Sequence, residues 1–131
     1  MTTYQLPPIC ILGLGLIGGS LMRDLTISNE RVFGYTMHGA RAAQRDGFDV
    51  SDNMEEVLRR AEADNALIVV AVPMAAVASV LDQVASFAPT CDITDVVSVK
   101  ERVYDLIVER DMQGRYVGGH PMAGTESVSY T

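Results

Sequence analysis

"ILGLGLIGGSLMRDL", residues 11–25, decides the fold. Before it, "PICILG" (8–13) is a short apolar run of the kind that forms a buried strand. After it, "GGSLMRDLTI" (18–27) spaces Leu21, Met22 and Leu25 for one face of a helix. Gly13, Gly15, Gly18 and Gly19 crowd the junction between the two. At Gly13 a tight turn is allowed, at Gly15 the backbone can be approached closely from outside, and at Gly18 the helix can settle onto the strand.

The same alternation continues through all 131 residues. Strand-like runs follow at "RVFGYT" (31–36), "FDV" (48–50), "ALIVVAV" (66–72), "DITDVVS" (92–98) and "RYVGG" (115–119). Between them lie helix-like runs at 39–47, 52–63, 74–88 and 100–112. The helix over 52–63 has carboxylates in its first turn and arginines towards its end, as the helix dipole favours. "ALIVVAV" has no polar position, which suits a central strand covered on both faces. Strands separated by helices predict an α/β fold: a Rossmann-type doubly wound parallel sheet of about six strands in three α-β-α layers. The length predicts one domain, 1–131.

Bulk chemistry excludes several classes of function. With a net charge of −7 the chain has no excess of Lys and Arg to meet nucleic acid or an anionic membrane. Cys10 and Cys91 are the only cysteines, which predicts neither a disulfide framework nor a metal site. No signal peptide or membrane span is expected, and the cytoplasm is the expected compartment.

In an α/β context, Gly13, Gly15 and Gly18 form the G-x-G-x-x-G pattern of a dinucleotide site, with phosphates held by the helix N-terminus. A strand-to-helix turn punctuated by glycines for purely structural reasons is the plainer alternative. An NAD site usually has Asp or Glu at the end of the second strand, whereas here Thr36 stands there, with His38 and Arg41 close behind. The missing acid and the nearby bases favour NADP, with NAD the alternative. The cofactor-side set is therefore Gly13, Gly15, Leu16, Ile17, Gly18, Thr36, His38 and Arg41, together with Val72 and Pro73 at the end of the fourth strand.

Further polar groups fall at the carboxyl ends of later strands, where open α/β sheets bind ligands. Ser98 and Lys100 end the fifth, and His120 and Glu126 follow the sixth. A neutral imidazole suits proton acceptance near pH 7, although a lone histidine also serves as a packing or surface residue.

"ILGLGLIGGSL", "VVAVP", "TDVVSVK" and "YVGGHPMAGTE", in this order, resemble the nucleotide-binding half of the prephenate/arogenate dehydrogenase family of tyrosine biosynthesis. The resemblance runs from residue 8 to about 126, and S-V-K followed by G-G-H-P-M-A-G-T-E is its most specific part. It implies NAD(P)-dependent oxidation at C4 of prephenate or arogenate with loss of CO2 from C1. By position, His120 resembles the catalytic histidine on the ring hydroxyl, and Ser98 the serine that orients it. The resemblance implies that Glu126, with Thr125, stands on the substrate side, while it gives Lys100 no chemical role. "TESVSYT" (125–131) departs from the family pattern, which continues towards S-G. The family's helical second domain completes the substrate pocket and forms the dimer. The chain is thus expected to be a truncated form limited to cofactor binding. A non-catalytic dinucleotide-binding module is the alternative. A β-hydroxyacid dehydrogenase would share only the glycine loop.

Overall fold

The computed structural model describes residues 6–97 and 100–117. Five strands, β1 (Ile9–Leu12), β2 (Val32–Tyr35), β3 (Val50–Ser51), β4 (Leu67–Val70) and β5 (Ile93–Asp95), form one sheet in the order β3-β2-β1-β4-β5. Every neighbouring pair is parallel. Helices α1 (Leu16–Ile27), α2 (Ala40–Arg45), α3 (Met54–Asp64), α4 (Met74–Phe87) and α5 (Lys100–Glu109) alternate with the strands.

Strand pleating divides the apolar residues between two cores. Cys10 and Leu12 of β1, with Ile68 and Val70 of β4, face α3, α4 and α5, where Leu58, Leu81 and Ile107 are fully buried. Ile9, Ile11 and Val69 point the other way, onto Met22 of α1 and Ala40 of α2. The result is the predicted three-layer, doubly wound α/β architecture. The uniformly apolar β1 and β4 occupy its centre because both of their faces are covered.

Three expectations about elements need correction. The described residues hold five strands, not about six. In the stretch read as the sixth, a short 3-10 turn at Gln113–Arg115 precedes a single parallel bridge from Tyr116 to Ile93, and residues 118–119 lie outside the described part. Helix α1 begins at Leu16 rather than Gly18, because Gly15 serves as its N-cap. The third strand pairs over Val50–Ser51 rather than 48–50, since only those two residues reach Gly34 and Tyr35 of β2.

Candidate nucleotide site

The carboxyl ends of β1, β2, β4 and β5 are tied edge to edge by backbone bonds. Gly13 N donates to Tyr35 O at 2.8 Å, Ala71 N to Leu12 O at 2.9 Å and Val96 N to Val70 O at 3.0 Å. The chain leaves β3 at one sheet edge and returns at β4 beside β1, so the glycine turn stands where the strand order reverses. That crevice is where doubly wound sheets take their ligands.

Each glycine of the turn meets a different demand. Gly13 has φ +105°, and a Cβ there would sit 2.8 Å from Ala71 O and 3.0 Å from Val72 Cγ1. At Gly18 a Cβ would fall 2.0 Å from Gly13 O, so helix and turn touch through backbone alone. A Cβ at Gly15 would meet nothing within 4 Å among the described residues beyond its chain neighbours. Its φ of −72° is open to any residue, so neither sterics within the protein nor backbone strain calls for glycine there. The open space lies at the N-terminus of α1, where no side chain caps the helix. First-turn amides have no intrahelical acceptor, so this is a cradle with donors and partial positive charge for an anion of pyrophosphate type. Leu16 and Ile17 in that first turn are exposed, at 90% and 58%.

Beyond β2, Thr36 is buried and its hydroxyl donates to His38 O at 2.7 Å, which shapes the turn into α2. His38 and Arg41 are exposed on that turn and the start of α2. Arg41 has no hydrogen-bond or ion-pair partner among the described residues. Val72 is buried against the glycine turn, while Pro73 is exposed as the N-cap of α4. The cofactor-side residues therefore gather along the ends of β1, β2 and β4. Two open clefts elsewhere, around Phe33, Asp49 and Arg60, include none of them.

The catalytic and substrate-side candidates Ser98, His120, Thr125 and Glu126 lie outside the described residues. The chain leading to two of them is described. Sequence reasoning passed over a buried carboxylate there, Asp95, which binds Val97 N at 3.0 Å and accepts the Tyr116 hydroxyl. It also passed over Gly34, where a Cβ would stand 2.6 Å from Ile11 O and 2.9 Å from Met22 Cε. An acid at a strand's carboxyl end was the available signal for Asp95. A lone glycine inside the second strand was the signal for Gly34.

Fold and turn together define a nucleotide-binding domain of the Rossmann class. The model of the family "Prephenate dehydrogenase, nucleotide-binding domain" matches residues 21–130, and the chain belongs to that family. The match starts after the glycine turn and takes in S-V-K and the whole of Y-V-G-G-H-P-M-A-G-T-E. Prephenate dehydrogenase of Bacillus subtilis is 30% identical over 123 residues, covering 89% of this chain and 33% of its own. Cyclohexadienyl dehydrogenase of Zymomonas mobilis is 32% identical over 138 residues, covering 97% and 44%. A crystal structure of a candidate prephenate dehydrogenase from Corynebacterium glutamicum is 58% identical with TM-score 0.82, covering 83% of this chain and 35% of that one. The chain thus spans between a third and under half the length of these relatives. Among the described residues no helix is long and apolar enough to cross a membrane.

Proposed function

We propose that residues 1–131 form the dinucleotide-binding domain of a cytoplasmic dehydrogenase that oxidises prephenate or arogenate with decarboxylation, using NADP in preference to NAD. The observation that carries the cofactor reading is the cradle at Gly15: open space over an uncapped helix N-terminus, beside a turn that only glycine can make. Gly13, Gly15, Leu16, Ile17 and Gly18 would hold the pyrophosphate, with Val72 and Pro73 bordering the nicotinamide side. Thr36 keeps the following turn in shape and stands where an NAD site usually has Asp or Glu, and His38 and Arg41 would meet the 2′-phosphate.

Family membership and the S-V-K and G-G-H-P-M-A-G-T-E motifs support the reaction. A nicotinamide cofactor held by these residues would supply the two-electron acceptor for the hydride from C4. His120 accepts the C4 hydroxyl proton as the carbonyl develops, and Ser98 orients the imidazole. The C1 carboxylate leaves as CO2, and its bonding electrons complete the aromatic ring. By the family resemblance, Glu126 and Thr125 would stand on the substrate side. By the family resemblance, the basic residues that hold the substrate's two carboxylates, and the dimer contact, would come from a helical domain.

Calorimetric titration of the chain with NADP and with NAD tests the cofactor reading. Tighter binding of NADP is expected; equal or tighter binding of NAD, or no binding, overturns it. Arg41→Ala should lower NADP affinity about 10- to 100-fold, the loss of one charge-assisted contact, and leave NAD affinity within about twofold. A chimera joining the chain to the remaining two thirds of the Corynebacterium relative tests the reaction. Prephenate- or arogenate-dependent reduction of NADP is expected. Cofactor binding without turnover would leave a non-catalytic module.

A further inference from the structure

Asp95 closes β5 with a carboxylate that is only 6% exposed. Its Oδ1 holds Val97 N at 3.0 Å, and its Oδ2 accepts the hydroxyl of Tyr116, 21 residues further on. Tyr116 is registered there independently. It bridges Ile93, the next amide donates from Val117 to Ile93 O at 2.7 Å, and its ring lies 5.9 Å from that of Tyr104 on α5. Burial, and then Asp95, push the Tyr116 phenol well above its ordinary value, so it remains a donor across the working range of pH.

A buried carboxylate is a poor source of stability, because an apolar pair of the same shape serves a core as well or better. A carboxylate gives direction instead, since its two oxygens accept from two different segments, at Val97 and at Tyr116. One segment runs from Val97 into Ser98, the very next residue. The other runs from Tyr116 to His120, four residues on, a span of at most about 14 Å.

We propose that Asp95 and Tyr116 are positioning residues, whose bond sets the spacing between the strand end leading into Ser98 and the segment leading into His120. The proposal rests on the dehydrogenase reading, in which Ser98 orients the imidazole that takes the hydroxyl proton. A misplacement of about 1 Å at such a pair costs on the order of a hundredfold in rate.

Tyr116→Phe removes the tie and keeps the ring against Tyr104. In the chimera it should lower kcat about 10- to 100-fold, with KM for substrate and affinity for NADP within about twofold. Asp95→Asn, which keeps an acceptor for Val97 N, should lose less than Asp95→Ala. An unchanged kcat in Tyr116→Phe, or a loss that only follows loss of folded protein at the assay temperature, overturns the proposal. A wild-type chimera without turnover defeats the dehydrogenase reading alone. The imidazole ¹⁵N shifts of the isolated chain at pH 7 then decide, since His38 and His120 are its only histidines. Tyr116→Phe should move the His120 signals and leave those of His38 in place; no movement, or movement of both, overturns the proposal.

Discussion

Gly15 and Gly18 stand one helical turn apart, and a methyl group means opposite things at the two. At Gly18 it would lie 2.0 Å from Gly13 O, a clash between backbones that no rotamer relieves. Gly18→Ala should cost at least about 2 kcal/mol, read as a fall in melting temperature of roughly 5–10 °C. At Gly15 it would meet nothing within 4 Å among the described residues. Gly15→Ala should leave unfolding within about 0.5 kcal/mol of wild type while weakening NADP binding tenfold or more, since the methyl occupies the ligand's place. Urea unfolding and calorimetry on the same two variants separate the roles. The roles themselves were legible in the spacing G-x-G-x-x-G, because that pattern is local to one turn. Gly34 was not legible in the same way. What it avoids, Ile11 O and Met22 Cε, comes from a neighbouring strand and a helix more than ten residues away.

Helix α3 shows how an element is bounded at both ends. Asn53 caps it, with Oδ1 accepting from Glu56 N at 3.0 Å, while Asn53 N donates to Ser51 Oγ. Asn53→Ala should destabilise the domain by about 1 kcal/mol, measured by urea titration. At the other end, Glu62 takes the hydroxyl of Thr90 at 2.6 Å and its amide at 3.0 Å, joining α3 to the turn before β5. The Thr90 hydroxyl, then its amide, hold the Glu62 carboxyl below the ordinary value of 4.5, so the folded state prefers it ionised. Its stabilisation is complete above that value and is lost as pH falls through the lower folded-state value. Thermal melts between about pH 5 and 3 should therefore show wild type losing stability more steeply than Glu62→Gln. The helix itself was readable from its charge order and apolar spacing. The partner of Glu62 was not, because it lies 28 residues away in a turn.

At the scale of the whole molecule, one of the two cores, the one under α3, α4 and α5, closes over both cysteines. Cys10 sits in the central strand, and burial, then Cys91, raise its thiol far above the ordinary range. Burial, then Glu62, push Cys91 up to about 11, and its Sγ donates to Ala61 O at 3.2 Å. Neither thiol should react with a water-soluble disulfide reagent in the native protein. Both should react with urea dependence matching global unfolding, and fast native-state labelling would show that the sheet opens locally. By itself the sequence determined the class of fold, the order of the first five strands and the helices between them, the two-sided burial of β4, and the glycine turn. All of these follow from periodicity and residue chemistry within one element or one junction. Only the tertiary structure decided that α1 starts at its glycine cap and that the stretch after α5 meets the sheet through the Tyr116 bridge. The same is true of the carboxylate of Asp95 joining two segments that lead towards separate motifs. Those outcomes depend on which distant groups come within bonding reach once the layers pack, and no local pattern along the chain encodes that distance.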